Sequence, residues 1–278
     1  MIKLIATDLD GTLFYPKKRL TLMSGANRDF LSDFIGHGGR VVLVSGRNSV
    51  VLPKVEKKVG YDMALLGCNG SFLIEHRTLK KEHPLPNEVM VEIYSKLKNN
   101  FGIIAWFLFN DSPSLYITFH GVTSLYLAAA RVYNWSLGVY HENFVLGEKK
   151  FVRQLATGKN FKLMPIFGVT SKAYVKARQA FMAIDDLYND KVTVCCTDNA
   201  LEFTAYGINK AVGLKEYIKD LGLSEDEVAV VGDSGNDVVM FDNFVHSFCM
   251  KRGEKSIKEH AKYEIDRVSD LKNFIDKL

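Results

Sequence analysis

No stretch of this 278-residue chain approaches the ~20 consecutive uncharged apolar residues that a helix needs to cross a bilayer. That excludes a helical membrane protein. Nor does it open with a signal-peptide pattern; it runs straight into Ile2-Lys3-Leu4-Ile5-Ala6, and a cytoplasmic protein is expected. Cysteine is scarce: Cys68, Cys195, Cys196 and Cys249 lack metal-site spacing, and the adjacent pair is poorly placed to bridge to itself. Buried free thiols in a reducing compartment are expected. A dominant charge is missing too, since 36 Lys and Arg against 32 Asp and Glu leave only +4, with the lysines scattered. This weighs against nucleic acid and, weakly, for small anionic ligands. With 47% hydrophobic residues the chain can bury one large core or two smaller ones.

What is present starts with Ile2 to Phe14, an almost continuous apolar run ending in Asp8 and Asp10, then Gly11 and Thr12. Such a run reads as a strand buried on both faces of a parallel sheet, and sheets of that kind keep their ligands at the carboxyl ends of the strands. If extension continues, Asp8 and Asp10 project together, and anions so close repel unless a cation sits between them. A plain turn at Asp10-Gly11 uses the same residues without any chemistry.

Leu22, Ala26, Phe30, Leu31, Phe34 and Ile35 fall near helical spacing, and Gly36, Gly38 and Gly39 close that helix. Arg40–Val44 reads as a second buried strand, followed by Ser45-Gly46-Arg47, so strand, helix and strand make a right-handed parallel unit. Ser45 then either holds a phosphate oxygen with the free N–H groups beside it or caps the next helix. Met63–Leu66 reads as a short strand that Asn69-Gly70 turns into Phe72–Ile74, a hairpin. Beyond the charged stretch Lys80-Lys81-Glu82, Pro84 and Pro86 mark a domain boundary.

From there to Ala205 the texture changes. Helices are expected over Val89–Leu97, Ser124–Tyr133 and Ser171–Leu187, strands over Ile103–Phe109, Leu115–Phe119 and Phe161–Phe167, and a closing hairpin from Val192–Cys196 and Leu201–Thr204. This mixture suits an open antiparallel sheet with helices on one face, inserted into the first domain. Trp106, Phe107, Phe109, Tyr116 and Phe119 read as core rather than as a ligand box, His120 as a structural histidine, and Glu148-Lys149-Lys150 as a solvated turn. The domains are therefore 1–83 and 206–278 for the core and 84–205 for the insertion.

The first texture then returns. Lys210 falls at the very start of a helix, Ala211 to Leu221, where the backbone dipole favours anions; a nearby anion would resolve the conflict. Glu227–Val231 is another buried strand, and Gly232-Asp233-Ser234-Gly235-Asn236-Asp237 is its carboxyl-end loop. Carboxylates from two such loops, with room for water and phosphate, are what Mg²⁺ prefers, while the spacing fails that of a calcium loop.

Taken together, Asp8-x-Asp10-Gly11-Thr12, the strand-ending Ser45-Gly46-Arg47, Lys210, and Gly232-Asp233-x-x-Asn236-Asp237 resemble the four motifs of the haloacid dehalogenase (HAD) superfamily, in the Cof-like branch of its IIB subfamily. The resemblance covers most of the chain and implies an α/β fold, a doubly wound, Rossmann-like parallel-sheet core with an inserted α/β cap. It also implies a phosphatase acting on small phosphorylated metabolites such as sugar phosphates. Asp8 would be the nucleophile that forms an aspartyl-phosphate, and Asp10 the acid and then the base. Mg²⁺ would be held by Asp8, the Asp10 carbonyl and Asp233, with Asp237 ligating or orienting. Thr12, Ser45, Gly46, Lys210 and Asn236 would serve the phosphoryl group. The insertion lies between Ser45 and Lys210, where the IIB cap resides; such a cap would exclude protein and nucleic-acid phosphates.

One departure stands out. Many relatives carry Met-Gly-Asn-Ala after the fourth motif, where this chain has Met250-Lys251-Arg252-Gly253. The two added charges either draw a more anionic substrate or face solvent, and solvent is the expectation. A phosphosugar mutase of the phosphomannomutase type is the alternative, and a non-catalytic binder a weaker one, since a binder needs no nucleophile with a separate acid. Neither a membrane nor a nucleic-acid partner is expected, and the chain is expected to be a monomer or small homo-oligomer.

Overall fold

The computed structural model describes residues 1–16, 21–110, 114–119, 143–168, 171–197 and 199–275. In chain order its strands are β1 (Leu4–Thr7), β2 (Arg40–Val44), β3 (Ala64–Gly67), β4 (Phe72–Glu75), β5 (Thr78–Glu82), β6 (Ala105–Asn110), β7 (Ser114–Phe119) and β8 (Asn143–Leu146). They continue with β9 (Asn160–Ile166), β10 (Val192–Thr197), β11 (Ala200–Ala205), β12 (Val228–Gly232), β13 (His246–Met250) and β14 (Tyr263–Ile265). They form two sheets in two compact units: one of residues 1–82 and 209–275, the other of the described residues between 83 and 208. Among the described residues, no helix is long and apolar enough to cross a membrane.

The first unit holds an eight-stranded sheet in the order β14-β13-β12-β1-β2-β3-β4-β5. From β14 to β3 every pair is parallel. Leu4, Ile5, Ala6 and Thr7 are all fully buried, which is why β1 reads as an unbroken apolar run rather than an alternating one. The chain moves outward from β1 to β2 and β3 on one side and, after its return, to β12, β13 and β14 on the other. β1 therefore marks the point where the strand order reverses, and open parallel sheets bind their ligands outside the carboxyl ends of the strands at such a point. The helix Gly25–Gly36 begins three residues after the expected Leu22, with Ser24 as its cap accepting from the Asn27 N–H (3.2 Å). The Asn27 side chain in turn donates to the carbonyls of Leu13 (3.0 Å) and Tyr15 (3.1 Å), tying the helix to the loop after β1.

β3 and β4 pair antiparallel, as the expected hairpin does, joined by Cys68, Asn69, Gly70 and Ser71, the first three at positive φ. The charged stretch Lys80–Glu82 belongs to an element that the sequence reading does not assign: Thr78–Glu82 pairs with β4 as an edge strand. Its largely exposed residues carry no alternating apolar signal, and lysines on an edge discourage further pairing.

The second unit is a six-stranded sheet in the order β10-β11-β9-β6-β7-β8, antiparallel throughout except for the parallel pair β7–β8. One cluster gathers Met90, Tyr94, Phe151, Leu155, Ala177 and Ile184 from three helices with Trp106, Leu108, Leu163 and Phe203 from the strands. The helices thus share one face of the sheet. Trp106 is fully buried and meets Tyr94 edge-on at 4.9 Å between centroids, and Tyr116 packs against the same core, as expected of core aromatics. Phe109 is buried, whereas Phe107 and Phe119 are half-buried. Glu148-Lys149-Lys150 is exposed, as expected, but it opens a helix and is not a turn: Glu148–Thr157, whose Phe151 and Leu155 sit one turn apart in the core. His120 and the expected helix Ser124–Tyr133 lie outside the described residues.

Candidate active site

Extension stops one residue after β1. The Asp8 N–H still bonds the Val231 carbonyl of β12 (2.9 Å), and then Leu9–Leu13 form a tight turn in which Gly11 takes φ +87°. The two carboxylates meet different cations. Asp8 is buried and accepts from the Lys210 ammonium (2.7 Å); the Asp10 side chain is 54% exposed and is held by Arg47 through Nε (2.5 Å) and Nη2 (2.8 Å). Each charge is met by a cation, Asp8 sharing Lys210 with Asp237.

Gly11 is required twice over. Besides its left-handed φ, a Cβ there would collide with Arg252 Nη1 and the Asp233 carboxylate. Gly11→Ala is expected to lower kcat by on the order of 10²-fold by displacing these groups. The backbone conformation itself should cost about 1–2 kcal/mol of stability. Steady-state rates with a thermal melt check both.

At the end of β12, Asp237 folds back over its own loop, with Oδ2 accepting from the N–H groups of Asp233 (2.9 Å) and Ser234 (3.0 Å) and from the Ser234 hydroxyl (3.2 Å). Its Oδ1 accepts from Lys210 (2.7 Å). Asp233 is engaged at both oxygens as well, by the Thr12 hydroxyl (3.0 Å) and by Arg252 Nη1 (2.7 Å). The Thr12 hydroxyl is thus directed at a carboxylate, where sequence reasoning grouped it with the phosphate contacts. Of the six oxygens on these three carboxylates, only Asp8 Oδ2 has no hydrogen-bond partner among the described residues.

Lys210 is the first residue of the helix Lys210–Asp220, capped by Asn209, whose Oδ1 accepts from the Val212 N–H (3.0 Å). Its side chain is buried between Asp8 and Asp237, which supplies the anions its position calls for. Burial would lower its pKa, but the Asp237 and Asp8 carboxylates together raise it, and the ammonium stays charged.

Ser45 follows β2 and does not cap the next turn; Asn48 does. The Ser45 hydroxyl accepts from the Arg47 N–H (3.2 Å) and its carbonyl from the Asn69 N–H (3.0 Å), with half-buried Gly46 beside it. Asn236 donates to the Asn69 side chain (3.3 Å). One run of hydrogen bonds therefore links Asn236, Asn69, Ser45, Arg47 and Asp10, another links Thr12, Asp233, Asp237, Lys210 and Asp8, and the Ser234 hydroxyl joins the two, donating toward Asn236 Oδ1 (2.9 Å) and Asp237 Oδ2 (3.2 Å).

Sequence reasoning missed three of these residues. Arg47 was quoted in its motif without a role, and its charge just beyond a strand end was the available signal. Asn69 was read as a turn. Arg252 is exposed, as expected, and so is Lys251 beside Asp266 (2.6 Å), but Arg252 also pairs with Asp233, a partner nineteen residues away that no local pattern announces. Cys68 and Cys249 are buried free thiols as expected, while Cys195 and Cys196 are only half-buried. Burial, then the Asp237 and Asp233 charges, push the Cys249 thiol up to about 12, so it is no nucleophile.

Asp8, Asp233 and Asp237 each bring a carboxylate oxygen within 4.8 Å of the others. Burial pushes the Asp8 carboxyl well above its usual range; Lys210 pulls it back while Asp237 and Asp233 push it further. Burial and then Asp237 push Asp233 up to about 6. Crowded, desolvated carboxylates at two loop ends form a hard oxygen set that a divalent cation fits.

A family model described as haloacid dehalogenase-like hydrolase matches residues 5–273. The chain is 24% identical over 273 residues to the 5-amino-6-(5-phospho-D-ribitylamino)uracil phosphatase YbjI of Escherichia coli, covering 94% of this chain and 90% of that one. It is 25% identical over 272 residues to the phosphatase of the same description, YcsE, of Bacillus subtilis, covering 95% and 90%. Among solved structures it is similar to the subclass IIB sugar phosphatase BT4131, at TM-score 0.74 and 17% identity over 98% of both chains.

Proposed function

The chain belongs to the haloacid dehalogenase-like hydrolase family and is a phosphatase; from that premise we propose that it hydrolyses small phosphorylated metabolites, sugar phosphates foremost, in a Mg²⁺-dependent reaction through an aspartyl-phosphate on Asp8. The observation that carries this reading is the Asp8 carboxylate, with one oxygen fixed by Lys210 at 2.7 Å and the other without a hydrogen-bond partner among the described residues. A nucleophile needs that asymmetry: orientation from one oxygen and a lone pair on the other.

In the first step Asp8 Oδ2 attacks phosphorus, the ester P–O bond breaks, and the leaving oxygen takes a proton from Asp10. In the second, Asp10 takes a proton from water, the water oxygen attacks phosphorus, and the bond to Asp8 breaks, returning phosphate and the free carboxylate. Arg47 sets the direction of the Asp10 carboxyl through its two hydrogen bonds. Lys210 and the Ser45 hydroxyl neutralise and hold phosphoryl oxygens, with Gly46 and Asn236 in support. Asp8 and Asp233 would hold Mg²⁺ together with the Asp10 carbonyl, and Asp237, which accepts from Lys210 and from its own loop, would ligate the metal or orient Lys210 and the loop. When bound, the cation offsets the carboxylate repulsion and the charge of the transferring group. Residues 84–205 would select the metabolite.

The test is hydrolysis of p-nitrophenyl phosphate with and without Mg²⁺, followed by a panel of sugar phosphates and other small phosphate esters. Release that requires the metal and at least ~100-fold over the metal-free rate is expected, in line with the charge a metal offsets in phosphoryl transfer. No release by folded protein on any panel member would overturn the hydrolase reading.

A further inference from the structure

Where the resembled segment carries Asn, this chain carries Arg252, and its guanidinium lies at the carboxylate cluster. Nη1 donates to Asp233 Oδ2 at 2.7 Å, and the group stacks on the Tyr15 ring, with Cζ 5.2 Å from the ring centroid. Its backbone is fixed as well. The Gly253 N–H bonds the Met250 carbonyl (2.8 Å), and a Cβ at Gly253 would come to 3.0 Å from both the Asp233 carbonyl oxygen and Cys249 Sγ. The turn carrying Arg252 is therefore packed against the Asp233 loop. Lys251, by contrast, points to the surface and pairs with Asp266.

Arg252 changes the charge of the cluster. Asp8, Asp233 and Asp237 bring three negative charges, and Lys210 and Arg252 return two. With Asn at 252 only Lys210 would do so, and the cluster would hold one more negative charge. A dication held by Asp8 and Asp233 would have the guanidinium as its neighbour across a single carboxylate group. Both cations draw on that carboxylate, and they repel at short range beside a largely buried Asp233, though the Arg252 side chain itself is 40% exposed.

Resting on the metal-dependent reading above, we propose that Arg252 is a positioning residue that weakens divalent-metal binding: it shares the Asp233 carboxylate with the metal and sets the concentration of metal the protein needs. The device belongs to this chain's own sequence, because Asn would leave Asp233 Oδ2 without a charged donor.

The experiment is a Mn²⁺ titration of the full chain, reading free Mn²⁺ by electron paramagnetic resonance, for the unmutated protein, Arg252→Asn, Arg252→Lys and Asp233→Asn, each confirmed as folded by its thermal melt. Arg252→Asn is expected to tighten Mn²⁺ binding by about tenfold or more, and Arg252→Lys, which keeps the charge, to stay within about threefold of the unmutated protein. The gain should shrink as KCl is raised, as expected of a partly exposed charge and not of a packing change. Unchanged or weaker binding in Arg252→Asn overturns the inference and leaves the metal-dependent reading standing. An absence of Mn²⁺ binding in every protein, Asp233→Asn included, overturns both.

Discussion

Asp8→Asn is expected to lower turnover of any phosphate ester by at least ~10⁴-fold while leaving the fold intact, since loss of the attacking group in a covalent mechanism removes the pathway rather than slowing it. The amide keeps the shape of the carboxyl and can still accept from Lys210 through its oxygen, and Asp237 continues to neutralise that ammonium. Stability should hold or rise. Burial holds the Asp8 carboxyl above its usual range, so ionising it costs more in the folded chain than in the unfolded one. That penalty is present above the ordinary carboxylate pKa and absent in acid, where both states are protonated. Asparagine removes it, so the variant should melt at the same temperature or a few degrees higher at pH 7, the difference vanishing toward pH 3. Single-turnover assays beside melts at both pH values check the two halves. Residual activity above about 1% in pure variant would contradict a nucleophilic Asp8.

The elements that sequence reasoning recovered are those whose burial leaves a periodic trace. β1, β2 and β12 are covered on both faces, so each shows as a continuous apolar run, and the chemistry-bearing residues follow at their carboxyl ends, where a parallel sheet keeps its ligands. Lys210 was legible because it breaks a local rule: a cation at a helix amino terminus asks for an anion, and Asp8 and Asp237 answer it. Where local pattern and tertiary partner are independent, the reading failed. β5 is an edge strand with mostly exposed side chains and no alternation. Glu148-Lys149-Lys150 is charged because it forms the first turn of a helix whose apolar stripe begins only at Phe151. That Asp8 meets Lys210 while Asp10 meets Arg47 depends on cations brought from other loops, and the contact of Arg252 on a carboxylate brought from the loop before it. The motifs named the groups; the cross-loop pairs decided what each one meets.

Lys210→Met separates the structural from the chemical side of the cluster. Methionine nearly matches the length of lysine and fills the buried channel, but it leaves Asp8 and Asp237 without the ammonium at 2.7 Å from each. Removing one partner from a buried ion pair costs about 3–5 kcal/mol, and that loss is expected in urea unfolding at pH 7.5. The pH dependence has a definite sign. In the unmutated protein the pKa of Lys210 is raised, so the stability it contributes is fully present below the unfolded value of 10.5 and is lost as pH rises through the higher folded value. In the variant the buried Asp8 carboxyl, already held above its usual range, can escape its isolation by protonating, so the deficit should narrow as pH falls. Catalysis should not follow that recovery. With no cation to orient Asp8 and to meet the phosphoryl oxygens, kcat is expected to stay down by about 10²–10³-fold at every pH. Adding Asp237→Asn to Lys210→Met should restore most of the stability, since the amide oxygen can still accept from the Asp233 and Ser234 N–H groups while the second unpaired charge is gone. The double variant should remain as inactive as the single one. A double variant that recovered activity along with stability would show that Lys210 serves only to neutralise its neighbours, and would remove it from the phosphoryl site.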